Sequence, residues 1–164
     1  MSFIVLRDRN IIALNVHAPS EEKSNDSKDR FYEELEWLFN HFPKYYTKIL
    51  GEDFNAKVGR EDIFKLTFGN DSLHQDCNDS GVKIVKFATS KNLVVKSMMF
   101  LHSYIHTYTW ISPDGKTHNQ IDYILIDRRW HSSIHDARSF RRADCDTDHY
   151  LMFATVMERL EVSK

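Results

Sequence analysis

Four times along this chain a short apolar run meets a cluster of amide, carboxylate and imidazole side chains: Asn15 with His17, Asp53 with Asn55, Asn119 with Asp122, and Asp148 with His149. Runs this short, rich in β-branched and aromatic residues, read as buried strands. The polar clusters then fall at strand ends, where loops present functional groups to solvent. The strands are expected at 3–6, 11–16, 46–50, 93–95, 106–111, 120–126 and 150–157. The first two pair as a hairpin across 7–10, and the third is broken by Gly51. Between them, Phe31, Leu35, Leu38, Phe39 and Phe42 recur at helical spacing, so an amphipathic helix starts at Asp26 or Ser27 and stops at Pro43. A second helix, capped by Asp79 or Ser80, carries Val82, Val85, Phe87 and Ala88. Strands mixed with two helices give a layered α/β protein.

Composition fits one soluble domain with one core. The 164 residues are 41% hydrophobic and 28% charged, which excludes global disorder. A net charge of -2 excludes a dedicated nucleic-acid packaging protein, but leaves a nuclease open, because catalysis needs a local basic rim and a metal. Cys77 and Cys145 lack metal-knuckle spacing and read as free thiols in a reducing compartment, one disulfide being the other arrangement two cysteines allow. No apolar run spans a membrane, and Arg7-Asp8-Arg9 cuts the opening run too short for a signal peptide. An intracellular protein, nuclear or cytoplasmic, is the expectation.

The polar clusters suit phosphoryl hydrolysis. Hard oxygen ligands hold Mg²⁺, which neutralises phosphate charge and acidifies a water. A histidine fixed by a carboxylate keeps one tautomer and can face a developing oxyanion. Taken singly, each cluster has an ordinary reading: Asp-x-Asn is a common turn, and an exposed Asp-His pair carries little energy.

Their order carries more weight. NVHAP at 15–19, DFNAKVGRED at 53–62, YTW at 108–110, NQIDYILID at 119–127 and TDHYL at 147–151 resemble, in sequence order, the endonuclease/exonuclease/phosphatase superfamily, and within it the branch used by non-LTR retrotransposons of the RTE/BovB type. The resemblance implies a DNase I-like layered sandwich of two β-sheets flanked by helices. It implies a metal-dependent phosphodiesterase, a DNA-nicking endonuclease with chemistry like that at apurinic/apyrimidinic sites, using Mg²⁺ or Mn²⁺ and taking DNA as partner. By the same resemblance, Asp53 aligns or activates the attacking water, Asn55 steadies the phosphate site, Asp122 orients His149, His149 contacts the scissile phosphate, and Asp148 helps hold the metal. His17 stands where many relatives carry a phosphate-contacting tyrosine. Tyr108 and Trp110 read as core aromatics, Asn15 and His118 as structural, and Arg128, Arg129, Arg138, Arg141 and Arg142 as either a phosphate track or ordinary surface.

Two departures from the family pattern matter. Residues 1–164 match its C-terminal part only. The initial strands, with an early Asn and a metal-binding Glu, have no counterpart, so metal affinity should fall and an uncovered sheet edge should favour self-association. The usual Gly-Asp-Phe-Asn is here Gly51-Glu52-Asp53-Phe54-Asn55, which places another carboxylate beside Asp53. The rival reading is therefore a truncated or domesticated copy that is catalytically inactive and acts only in binding. A small-molecule phosphatase of the same superfamily agrees less well with the retrotransposon-like strings.

Overall fold

The computed structural model describes residues 1–60, 67, 72–100, 103–140 and 147–157. Its elements are β1 (Ser2–Leu6), β2 (Ile11–His17), α1 (Asn25–His41), β3 (Thr47–Asp53), α2 (Asp79–Ser90), β4 (Leu93–Val95), β5 (Trp110–Ile111), β6 (His118–Asn119), β7 (Asp122–Asp127), β8 (Ile134–Phe140) and β9 (Leu151–Val156).

A five-stranded sheet in the order β1-β2-β3-β7-β4 forms the middle layer. The expected hairpin closes through a 3₁₀ turn at Arg7–Arg9 and Asn10, whose φ of 50° is a left-handed conformation that Asn tolerates. Along β2 the period-2 pattern buries Ile12, Leu14 and Val16. They share one face of the sheet with Leu50, Leu93, Val95, Tyr123 and Leu125, packed against Phe31, Leu35 and Phe39 of α1 and Ile84, Phe87 and Ala88 of α2. The opposite face offers Val94, Ile124 and Ile126, which meet Ile134 and Ala137 of β8, with Met152 and Ala154 of β9 alongside. The β8–β9 ladder is antiparallel. The result is a layered α/β sandwich, two sheets face to face with the helices outside the larger one, as the sequence led one to expect.

Each helix starts on a side-chain cap. Ser24 accepts from Ser27 N at 3.3 Å, two or three residues before the expected caps, and Asn78 accepts from Gly81 N at 2.8 Å, displacing Asp79 and Ser80 from that role. Asn78 Oδ1 also accepts from Lys57 N at 2.9 Å, so the loop after β3 is pinned to the start of α2. Lys28, 4% exposed, reinforces this corner: its ammonium donates to Glu21 O at 3.0 Å and lies 3.6 Å from Asp79. Glu21 in turn accepts from Ser80 Oγ at 2.7 Å.

Gly81 is needed for this close approach. A Cβ there would fall 2.0 Å from the Lys57 carbonyl oxygen. Gly→Ala inside a helix ordinarily stabilises by roughly 0.5–1 kcal/mol. Here the sign reverses, and Gly81→Ala is expected to cost about 1–3 kcal/mol through overpacking, readable as a lowered urea midpoint.

The strand boundaries differ from expectation in places that matter for the site. Gly51 does not break β3, which is laddered by β2 on one side and β7 on the other and runs to Asp53. The expected strand over 106–111 is reduced to Trp110–Ile111, with a 3₁₀ turn at Tyr104–His106 before it. β8 was not expected at all. Arg141, Arg142 and Cys145, and the side chain of Glu52, lie outside the described residues.

Candidate active site

Three strands deliver the first residues of the site in one row. β2 pairs parallel with β3 so that His17 stands beside Asp53, and β3 pairs antiparallel with β7 so that Asp53 stands beside Asp122. The last residue of one strand, the last of the next and the first of the third therefore share one end of the sheet. His17 Nδ1 is 3.3 Å from Asp53 Oδ2. Both carboxylates are buried, Asp53 at 6% and Asp122 at 5% exposure.

His149 reaches the row from the segment before β9. A lone bridge to Trp110 positions its backbone. Its ring Nδ1 lies 3.2 and 3.3 Å from the two Asp122 oxygens, so Nδ1–H donates to the carboxylate and Nε2 is left 4.0 Å from Asp53 Oδ2. One ligand atom each from Asp53, Asp122 and His149 lies within 4.8 Å of the others, a group that could hold a metal ion.

Asn55 joins Asp53 by a different route from simple strand alternation. The chain leaves the sheet after Asp53, and Asn55 takes φ 47°. Its N–H donates to Asp53 Oδ1 at 2.8 Å, and its amide donates to Asp53 Oδ2 at 3.1 Å and to Ala18 O at 2.8 Å. This is an Asx-type turn used to aim a carboxylate. Phe54 N donates to Ile121 O at 3.1 Å, tying the same turn to the start of β7.

Asp148 stands apart from the row. It is exposed, and its Oδ2 accepts from Trp110 Nε1 at 2.7 Å. Asn15 lies exposed on β2, whereas Tyr108 is buried and stacks on His118 at 4.3 Å between ring centroids. Of the arginines considered as a phosphate track, Arg128 donates to Asn92 at 3.1 Å, Arg129 chelates Asp127 at 2.8 and 3.0 Å, and Arg138 pairs with Asp136 at 3.3 Å.

Two supporting residues were not singled out in the sequence. Thr109, 1% exposed, accepts from the N–H groups of Ile121 and Asp122, both at 3.1 Å, while its carbonyl accepts from Tyr150 N at 2.7 Å. One buried threonine thus braces both sides of the Asp122–His149 pair. The Tyr123 hydroxyl sits 2.7 Å from Gln120 O and 2.9 Å from Ala56 O, and accepts from Val58 N at 3.3 Å. The available signal was a polar atom inside an apolar string, Thr between Tyr108 and Trp110 and a phenol within the β7 run.

Burial pushes the Asp53 carboxyl above its ordinary range, with Asp122 adding to the shift and the Asn55 N–H opposing it. The His149 imidazole is raised first by its hydrogen bond to Asp122 and further by the charges of Asp122, Asp53 and Asp148. Both groups hold protons more readily folded than unfolded. The stability His149 contributes is therefore fully present below its unfolded pKa of about 6.5 and is lost as pH rises through its higher folded value. In metal-free buffer the protein should have a higher urea midpoint at pH 6 than at pH 8. Asp122→Asn, which removes the main cause, should shrink that difference. A difference of the same size in the variant would mean another group titrates.

The fold is that of the DNase I-like endonuclease/exonuclease/phosphatase proteins. A family member from Leptotrichia buccalis C-1013-b superposes at TM-score 0.60, covering 94% of this chain and 50% of that one at 14% identity. The 3'-5' exonuclease NExo from Neisseria meningitidis does so at TM-score 0.63, covering 90% and 62% at 18% identity, and the endonuclease domain of TRAS1, a telomere-specific non-LTR retrotransposon, at 0.57, covering 92% and 57% at 14%. In sequence, the chain is similar to craniofacial development protein 2: it is 35% identical to the Bos taurus protein over 153 residues, 93% of this chain and 26% of that protein. It thus spans about a quarter of the length of the curated relatives it matches. No protein-family model matches it. Among the described residues, no helix is long and apolar enough to cross a membrane.

Proposed function

We propose that this chain carries the site of a Mg²⁺- or Mn²⁺-dependent phosphodiesterase that nicks DNA. The observation that carries the reading is the His149–Asp122 pair facing an Asn55-held Asp53 across 4.0 Å, on a fold shared with an exonuclease and a retrotransposon endonuclease. In this reading the substrate phosphate lies against His149 Nε2, which donates to a non-bridging oxygen as negative charge develops there. Asp122 fixes the tautomer and stabilises the imidazolium. Asp53 orients the attacking water and accepts its proton, and its raised pKa favours that step. Asn55 keeps the carboxylate from rotating away. His17, at the rim, offers a further hydrogen bond to phosphate.

The donor set fits a hard divalent ion, which commonly takes one or two carboxylates plus substrate phosphate and water. Asp148, exposed at the His149 end, is the proposed protein ligand, and the ion supplies charge neutralisation of the phosphate. A single carboxylate holds Mg²⁺ weakly, so this stretch alone is expected to nick poorly, and a chain extended to the span of its structural relatives is the comparison that tests it.

The test is conversion of supercoiled plasmid to open circle by both proteins, with Mg²⁺ and with chelator. Mg²⁺-dependent nicking by the extended chain alone supports the reading in full. Robust nicking by the short chain would show that Asp148 and substrate suffice to hold the ion. Silence from both, including with Glu52→Gly, favours the alternative of a catalytically inactive copy acting in binding only.

A further inference from the structure

A groove opens beside the row and takes no part in the chemistry above. Its volume is about 560 Å³, and it lies between the loop over residues 18–24 and one face of α1, with His17, Ser20, Lys23, Arg30, Phe31 and Glu34 in its lining. Cavities of this size accept small ligands or part of a larger one. His17 belongs to both places: its side chain lines the groove, and its Nδ1 stands 3.3 Å from Asp53 Oδ2. The groove is therefore continuous with the row. Its walls are preformed. Ala18 N donates to Asp53 O at 2.8 Å and Ala18 O accepts from the Asn55 amide at 2.8 Å, which fixes the loop where it leaves β2. Lys28 holds the loop further along through Glu21 O at 3.0 Å. A wall already in place costs little ordering when a ligand arrives.

The charges in the groove select its occupant. Lys28, Lys83 and Lys91 around the same helix are committed to Glu21, Asp29 and Glu36. Lys23 and Arg30 are exposed, and among the described residues neither side chain has a hydrogen bond or an ion pair. An ammonium and a guanidinium left open in one groove are donors for anions, and the guanidinium fork suits phosphate. Contacts of this kind set the register of a nucleic-acid strand without reading its bases. Glu34 stands four residues beyond Arg30, about 6 Å along the helix, and repels a further phosphate. The stretch favourable to anions therefore runs from His17 to Arg30 and ends there.

We infer that this groove is a subsite for the sugar-phosphate backbone of the cut strand, in which Arg30 and Lys23 hold phosphates neighbouring the scissile one. The inference rests on the nuclease reading above and adds a requirement to it: the preferred substrate is a strand that continues past the cut on the groove side, rather than an isolated phosphate ester. Arg30 and Lys23 bind and orient that strand and move no proton.

The experiment is fluorescence anisotropy of a short labelled DNA duplex titrated with this chain in chelator, so that binding is read without cutting, over a series of KCl concentrations. Arg30→Ala and Lys23→Ala are each expected to weaken binding by roughly threefold to tenfold and to lower the slope of log Kd against log salt by about 1. Arg30→Lys keeps the charge and most of the slope, which separates lost charge from lost packing. Glu34→Gln should tighten binding by about twofold to threefold. Lys86→Ala, at an exposed lysine of α2 outside this groove, should leave binding unchanged. In the extended chain, Arg30→Ala should lower kcat/KM several-fold on duplex and leave it unchanged on a nitrophenyl phosphodiester too small to reach the groove. Affinity and slope equal in wild type, Arg30→Ala and Lys23→Ala overturn the proposal, as does an equal loss in Lys86→Ala or a wild-type chain that binds no DNA. Groove variants that weaken binding, beside an extended chain that cuts under no metal, uphold the subsite and sink the nuclease reading. Mg²⁺-dependent nicking that the groove variants leave untouched does the reverse.

Discussion

His149→Ala, made in the extended chain, is expected to slow Mg²⁺-dependent nicking by about 10²–10⁴-fold with little change in the DNA concentration giving half-maximal rate. The ring contacts charge that develops in the transition state, so its loss falls on the chemical step rather than on ground-state binding. Asp122→Asn should give a smaller loss, because the ring remains but its tautomer is no longer enforced. Asp53→Asn should match His149→Ala, since an amide cannot take the water's proton. The double variant His149→Ala with Asp53→Asn is expected to be scarcely slower than either single one, as groups acting as a unit are strongly non-additive. Single-turnover rates on a defined nicked product measure all four. Equal rates with and without His149 would show that the chemistry is elsewhere in the molecule.

The second large effect is structural. Tyr123 is fully buried, and burial holds its phenol un-ionised far above the ordinary range. Its oxygen joins β7 to the loop carrying Ala56 and Val58, directly after Asp53 and Asn55. Tyr123→Phe keeps the ring and leaves the Val58 N–H and two carbonyl oxygens without that partner. Orphaning buried polar groups costs about 1–3 kcal/mol, which for a chain of this size lowers Tm by roughly 2–12 °C. The same variant should reduce nicking more than its stability loss explains, because the Asn55 turn loses an anchor. Differential scanning calorimetry, beside rates taken well below Tm, separates the two. A Tm within a degree of wild type would mean that water replaces the phenol.

How much of this was legible beforehand depended on how each element earns its stability. α1 was readable because Phe31, Leu35 and Phe39 repeat at the helical period and are the apolar residues it buries. β4 was readable because Leu93, Val94 and Val95 are apolar on both sides and the strand is covered on both. β8 was not, because its inward residues include Ala137 and Ser139, too small or too polar to show an alternating pattern against Arg138 and Asp136. The continuation of β3 through Gly51 was hidden for another reason. Neighbouring strands on both sides hold that backbone in place, and local propensity carries no record of them. In the site, the family-like strings named Asp53, Asn55, Asp122 and His149, which the fold brings together. They were silent on Thr109 and Tyr123, whose contribution lies in what their hydroxyls bind across the chain.

The row of His17, Asp53 and Asp122 also makes the site a clock for folding. Its members sit on strands far apart in sequence, and the β2–β3 pairing is parallel, so no local hairpin can assemble it. Non-local pairings of this kind form slowly, after the loop-closure entropy between them has been met. A register shift of one residue would turn each member to the opposite face of the sheet and replace it with its neighbour. Only chains that have completed the central ladder in register present the row at all. The return of the row's native imidazole signals after dilution from denaturant is therefore expected to track completion of that ladder in register, whatever chemistry the row performs.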